Sequence, residues 1–282
     1  MKQVVLHTTA CAEPTTVASA RVAQFLARRL DIPLVAGGYR DEDIKRYHRV
    51  FYVNSMGAFA SPEFRNFMKV MVRNCEQLIY VQNDYTIHPI SQVQKVLRDR
   101  QWSHDFPFRE GPILWTTVPD LMCKPQDSYV NWNRLTYNPC EMKKADERVP
   151  GLLYWGSYRL GRVPSFKKYF EQNHYQVHLA MSPRVLARFA VHDMDNNLVQ
   201  AKPWKYADEI AHYQASLYIE DEQQHDGYHS PPNRVYEALS AGVALFIDKP
   251  CVPSLLKANL AVKPDWVVES ARDLAEKLPT SY

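Results

Sequence analysis

No cysteine pair at CxxC spacing occurs in the chain, and the five cysteines, at positions 11, 75, 123, 140 and 251, are odd in number. This excludes a zinc ribbon and a disulfide framework, and reads as the reduced thiols of a cytoplasmic protein. No run approaches the roughly 18 consecutive apolar residues of a membrane span. The apolar stretch near the N-terminus covers residues 4–6 only, far short of the h-region of about 7–15 residues in a secretory signal. Internal repeats and low-complexity tracts are lacking, which excludes a solenoid. Neither sign of charge dominates, and a formal net charge of +3 is too mild to establish a nucleic-acid partner by itself. Glycine is scarce, with 9 residues, whereas 17 Tyr, 11 Phe and 6 Trp make aromatics plentiful. The expectation is a soluble intracellular protein with no membrane attachment.

What is present has the balance of a globular chain, 46% hydrophobic and 23% charged. A length of 282 residues favours two domains of about 130–150 residues over one core. Buried strands are expected at 4–7, 50–53, 78–81 and 113–117. Between them lie helices, one with Val22, Phe25, Leu26 and Leu30 as its apolar stripe, one opened by Ser61-Pro62-Glu63 and one over 91–100. Residues 120–150, with several prolines and a charged run, break the rhythm and read as the interdomain connection. It then restarts with strands at 152–155, 176–179, 217–219 and 243–247. Helices are expected at 164–172, 184–189 and 206–212, and a final one over 265–278. Strands alternating with helices imply parallel βαβ units, hence an α/β fold. The expected division is 1–145, 146–264 and a C-terminal helix within 265–282.

Residues 228–248 carry most of the functional signal. The polar loop Tyr228-His229-Ser230 meets a helix expected to start with Ser230 as cap and Pro231 at the first helical position. Gly242 ends that helix, and 243–247 follows as a buried strand. Such a loop, feeding a helix N-terminus beside a parallel strand, presents free backbone N–H groups and the positive end of the helix dipole to an anion. Arg234 adds a forked cation suited to phosphate, near Asn233, and Glu237 lies one turn on, placed to accept hydrogen bonds from a ribose. The plainer reading is an ordinary capped helix of an α/β sheet.

The run Glu237-Ala238-Leu239-Ser240-Ala241-Gly242 resembles the "E-A-L-x-x-G" core of the nucleotide-sugar segment in GT-B glycosyltransferases. The resemblance implies two Rossmann-like domains facing across a cleft, with the donor nucleotide sugar held by the second. It implies Arg159, after strand 152–155, as the residue for the donor diphosphate, with Arg162 in reserve. Many retaining members carry a glutamate eight positions before the ribose-binding one. Here that position is His229, so the two-glutamate signature is incomplete and the stereochemical outcome is open. Tyr228, His229, Ser230 and Asn233 complete the expected donor set.

A general base is expected from the first half, at the end of a strand. Asp84, just beyond strand 78–81, and His7, at the end of the first strand, are the two candidates. Asp193-Met194-Asp195 has the DxD form by which another glycosyltransferase class holds a divalent cation. Asp-Asn clusters usually mean a turn, and the tripeptide follows a helix in the second half. No metal site is therefore assigned and no cofactor is expected beyond the nucleotide sugar, a UDP-sugar, as co-substrate.

The longer run from Pro232 to Asp248, with Arg three before Glu and a final Phe-x-Asp, resembles phage DNA glycosyltransferases. This implies a double-stranded DNA partner with a hydroxymethylated pyrimidine, a monomeric enzyme and a hexosyl or pentosyl transfer in the host cytoplasm. Lys143, Lys144, Lys167 and Lys168, in a segment with an excess of positive charge, are the candidates for DNA phosphates. Arg65, Lys69 and Arg73 make a second basic stripe, and Trp102, Trp132 and Tyr137 are candidates for stacking on a flipped base. Two alternatives stand beside this reading: transfer to a surface polysaccharide or lipid-linked saccharide, and a non-catalytic nucleotide- or DNA-binding α/β protein.

Overall fold

The computed structural model describes residues 2–7, 18–37, 44–54, 71, 74–83, 113–122, 124–136, 147–156, 158–171, 175–181, 186–188, 198–201, 207–221 and 230–278. The chain divides into two compact units, Met1–Thr136 and Tyr137–Tyr282. Each unit is built on a six-stranded sheet whose strand pairs all run parallel.

In the first unit the strands are β1 (Gln3–His7), β2 (Leu34–Ala36), β3 (Arg49–Asn54), β4 (Gln77–Gln82), β5 (Ile113–Thr116) and β6 (Ser128–Tyr129), in the spatial order β2-β1-β3-β4-β5-β6. The first helix, α1 (Ala18–Leu30), lays Val22, Ala23 and Leu26 on Val5, Phe51, Val53 and Ile79 with Phe25 partly buried beside them, whereas Leu30, expected on the apolar stripe, ends the helix 40% exposed. The short strands β2 and β6 are additions to the sequence-based reading. Both are edge strands too brief to show a periodic signal. A short helix, α2 (Trp132–Thr136), forms within the stretch read as connection. Trp132 is buried there against Trp115, with ring centroids 6.1 Å apart, and donates its indole N–H to the Trp115 carbonyl at 3.4 Å. It is a core residue and is not available to stack on a base.

The second unit contains β7 (Val149–Trp155), β8 (Val177–Ala180), β9 (Leu198–Ala201), β10 (Tyr213–Tyr218), β11 (Ala244–Asp248) and β12 (Val267–Val268). Their spatial order, β12-β11-β10-β7-β8-β9, is the doubly wound dinucleotide-fold order seen from one side. Strand alternation divides the core in two. Leu152, Tyr154, Leu217, Ile219 and Phe246 face Phe166, Tyr169 and Phe170 of α3 (Val163–Phe170). Leu153, Trp155, Tyr218, Leu245 and Ile247 face Val235, Ala238 and Ala241, the first two on α4 (Asn233–Ser240) and the third at its C-terminal cap.

Three local expectations are corrected here. The motif helix α4 starts at Asn233 with Pro232 as its cap, not with Ser230 as cap and Pro231 in the first turn. Pro232 disfavours a helical conformation in Pro231 before it, and its own ψ of 162° is extended. The predicted helix over 265–278 is broken into a 3₁₀ turn (Pro264–Trp266), strand β12 and the helix α6 (Ala271–Lys277), after a further short helix α5 (Val252–Lys257). The β-branched pair Val267-Val268 extends the sheet, and Ser270 caps α6 by accepting the Asp273 N–H at 3.1 Å. Strand β10 begins at Tyr213, earlier than its apolar run suggested, because Tyr213 and Gln214 are only half-buried. The predicted helices at 61–75, 91–100 and 184–189 lie wholly or mostly outside the described residues.

The end of α4 follows the sequence. Gly242, at φ 63°, donates to the Leu239 carbonyl at 3.2 Å, and Val243 donates to the Ala238 carbonyl at 3.1 Å. That pair of bonds is the Schellman arrangement, in which glycine accepts the left-handed conformation that closes the helix. Among the described residues no helix is long and apolar enough to cross a membrane.

Candidate functional site

Strand order dictates where a ligand site can form. In the second sheet the order reverses between β7 and β10, whose crossovers leave in opposite directions, and sheets of this kind take ligands beyond the carboxyl ends at such a point. Those ends are Tyr154-Trp155-Gly156 and Tyr218-Ile219-Glu220-Asp221. Every described donor-site candidate from the sequence except Ser230 contacts one of these two strand ends, directly or through Glu237.

Arg159 caps and Arg162 ends a 3₁₀ turn (Leu160–Arg162) that follows β7, and Arg234 lies in the first turn of α4. The three guanidiniums meet two carboxylates that the sequence reading passed over, Glu220 and Asp221. Arg162 donates from Nη2 to Glu220 Oε2 at 2.5 Å, and Arg234 from Nη2 to Glu220 Oε1 at 2.5 Å. Asp221 is 3.3 Å from Arg159 Nη1 through Oδ2 and 3.3 Å from Arg162 Nε through Oδ1. Arg234 also donates to the Ile219 carbonyl at 2.6 Å. Three cations against two anions leave this array one charge positive.

Burial grades the array. The side chains of Arg162, Glu220 and Arg234 are 2%, 5% and 10% exposed, while that of Arg159 is 31% exposed. Desolvation pushes the Glu220 carboxyl upward, but Arg234 and Arg162 outweigh it and hold the group below its ordinary value. For Arg162, burial opposes the charge and Glu220 restores it, so the guanidinium loses its proton less readily than usual. Arg159, the residue assigned to the diphosphate, is the accessible cation. Arg162, the reserve, is the buried brace.

Gly156 makes the close packing possible. Its φ is +142°, and a Cβ there would lie 3.1 Å from Arg234 Nη1 and 3.8 Å from Arg162 Nη1. Beneath Arg234 are the rings of Tyr154 and Tyr218, with centroids 5.9 and 5.7 Å from its guanidinium carbon. The buried hydroxyls of these two tyrosines, and Arg234 Nε, have no hydrogen-bond partner among the described residues.

Glu237 is buried on the same helix, one turn after Asn233. Its carboxylate takes the Trp155 indole N–H on Oε2 at 3.2 Å and the Asn233 side-chain amide on Oε1. A strand end and a helix start thus fix the rotamer of the residue read as the ribose acceptor. Ser230 is half-buried before the helix; Tyr228 and His229 lie outside the described residues.

Among the DNA candidates, Lys167 and Lys168 are exposed on α3, but Lys168 is paired with Asp248 at 2.7 Å and also lies 4.8 Å from the Tyr169 ring centroid. Lys143, Lys144, Arg65, Lys69, Arg73, Trp102, Tyr137 and the Asp193-Met194-Asp195 tripeptide lie outside the described residues or have undescribed side chains. No cluster of three or more metal-ligating side chains occurs among the described residues.

In the first unit the order reverses between β1 and β3. His7 ends β1 there, buried, with Nε2 3.0 Å from the Ser19 hydroxyl of α1. Asn83 follows β4, and its buried side-chain amide has no hydrogen-bond partner among the described residues. Asp84, the next residue, lies outside them.

No protein-family model matches the chain, and no curated protein sequence matches it. Solved structures do. T4 phage BGT, in complex with UDP-glucose or with UDP and Mn²⁺, superposes with a TM-score of 0.63 at 13% identity, covering 98% of this chain and 88% of that one. A structure described as the DNA modifying enzyme beta-glucosyltransferase gives 0.61 at 11% identity, over 98% and 87%. An alpha-glucosyltransferase bound to UDP and a 13-mer DNA with a central A:G mismatch gives 0.53 at 9%, over 96% and 84%. Likeness at these identities establishes the fold: the chain has the two-unit α/β architecture of the GT-B class.

Proposed function

We propose that the chain is a glycosyltransferase that takes a sugar from a UDP-sugar and transfers it to the hydroxymethyl group of a modified pyrimidine in DNA. The observation that carries this reading is the three-arginine array at the β7/β10 switch point, with Glu237 held beside it by Trp155 and Asn233. Arg159 and Arg234 would take the diphosphate, braced by Arg162, and Glu237 the ribose hydroxyls. The loop of Tyr228, His229 and Ser230 would meet the rest of the donor.

In the reaction the acceptor hydroxyl attacks the anomeric carbon, the bond from that carbon to the diphosphate breaks, and the hydroxyl proton passes to a base. Guanidiniums held in place beforehand would favour this step by stabilising the negative charge that accumulates on the leaving group. The base is proposed from the first unit, Asp84, the residue after Asn83 in sequence, first and His7 second. His7 is engaged by Ser19, which suits a positioning role better than proton transfer. For the acceptor, Lys143, Lys144 and Lys167 would contact phosphates, with Lys168 recruited only on leaving Asp248. The neighbours described with UDP-glucose and with DNA support both the donor and the acceptor class.

Nucleoside mass spectrometry tests the reading, after incubation with hydroxymethylcytosine or hydroxymethyluracil duplex DNA and a pool of nucleotide sugars, with Mn²⁺ and with EDTA. A hexose or pentose mass added to the modified base is expected. UDP binding without added mass would move the acceptor to a saccharide, and binding without transfer to any acceptor would favour a non-catalytic nucleotide-binding protein.

A further inference from the structure

We propose that Glu220 is a positioning residue for the donor: its carboxylate sets the spacing of the Arg162 and Arg234 guanidiniums, so that a nucleoside diphosphate meets a preformed receptor. The proposal rests on the reading of the second unit as a UDP-sugar site. Its basis is geometric. One carboxylate, at the end of β10, is divided between two arginines from different elements, each at 2.5 Å and each on its own oxygen. Arg162 comes from the turn after β7, and Arg234 from the start of α4. Glu220 therefore ties the turn after β7 to the start of α4 at the switch point.

Stability alone is a poor reason for this arrangement. Taking charges out of water costs about what their attraction returns, and an apolar replacement of matching volume would serve a core as well. What an apolar group could not do is hold two like-charged guanidiniums close together and aim them. The neighbours of the pair serve the same end. Gly156 leaves room for both guanidiniums, and Asp221 accepts from Arg159 and lies 3.3 Å from Arg162 Nε as an ion pair. Arg234, fixed against Arg162 through Glu220 before the ligand arrives, would lose little freedom when it binds. Glu220 itself is buried beneath them and is not assigned a donor contact.

Isothermal titration of the full chain with UDP, and in parallel with uridine, tests the proposal. In Glu220→Gln the dissociation constant for UDP is expected to rise roughly tenfold or more, equivalent to ~1.4 kcal/mol or above, while that for uridine stays unchanged. The UDP-to-uridine ratio is what a merely structural Glu220 would not move. Equal loss of both ligands, or loss of neither, overturns the proposal. If Glu220→Gln does not fold, Glu220→Asp asks the same question, since it keeps the charge but is too short to reach both arginines. A selective loss of UDP is again expected, and an unchanged ratio overturns the proposal. A wild-type chain that binds neither UDP nor uridine would overturn the donor-site reading beneath it, which distinguishes the two failures.

Discussion

Trp155 donates its indole N–H to Glu237 across 3.2 Å, joining the last residue of β7 to the middle of α4. With the Asn233 amide on the other oxygen, the bond fixes the carboxylate proposed to meet the ribose hydroxyls. Glu237→Ala is expected to weaken UDP binding by about 1.5–3 kcal/mol, the worth of a charged hydrogen bond. It also strands the indole N–H, so Glu237→Gln is the better probe of ribose contact alone. The check is a cycle with 2′-deoxy-UDP: the wild type should prefer UDP, and the preference should vanish in both variants. A preference that survives would remove Glu237 from the ribose.

Gly156→Ala should fail for two reasons that act together. The position has φ +142°, and the added methyl would press on Arg234 Nη1 at 3.1 Å. A side chain at positive φ costs more than ~1 kcal/mol, measurable by urea denaturation. Because the guanidinium must move, UDP affinity should fall as well. An alanine variant with wild-type affinity would show that Arg234 does not need its present place.

Arg148 offers the control. Its guanidinium donates to the Gly242 carbonyl at 2.7 Å and the Ala241 carbonyl at 3.3 Å, closing the C-terminal end of α4 where helix carbonyls and the dipole favour a cation. Arg148→Ala should lower stability by about 1 kcal/mol and leave the UDP dissociation constant unchanged in the folded protein. Thermal unfolding and titration on one sample decide it. A loss of affinity would mean that the two ends of α4 are coupled.

The sequence made the sheets legible because buried parallel strands read as apolar runs, as at Val50–Val53 within β3 and in β11. It made the arginines and Glu237 legible through the loop and helix that carry them. It did not show β2, β6 or β12, since strands of two or three residues lack room for a period, nor β9, a four-residue strand interrupted by Gln200. Glu220 and Asp221 were missed for a different reason. Their role depends on β10 lying next to β7, a pairing that no local pattern encodes. A carboxylate pair at the end of an apolar strand was the available signal, and it has meaning only once the strand order is known. Trp132 shows the converse, since an aromatic in a polar connection invites a binding role and turns out to be core.

The pH dependence of the arginine tie follows from the direction of the Glu220 shift. Arg234 and Arg162 hold the folded-state carboxyl below its ordinary value of 4.5 despite the opposing effect of burial. The unfolded chain therefore binds the proton more readily than the folded one below neutrality. Stability contributed by the ionised group is complete above pH 4.5 and is lost as pH falls through the lower folded-state value. Other carboxylates titrate in the same window, so the quantity to measure is the stability of the wild type minus that of Glu220→Gln. This difference should be flat across neutral pH and should shift against the wild type as pH falls towards and below 4.5. A difference that instead shifts in favour of the wild type as pH falls from neutrality would place the Glu220 proton on the carboxyl in the folded state, and the carboxylate could not then hold two arginines.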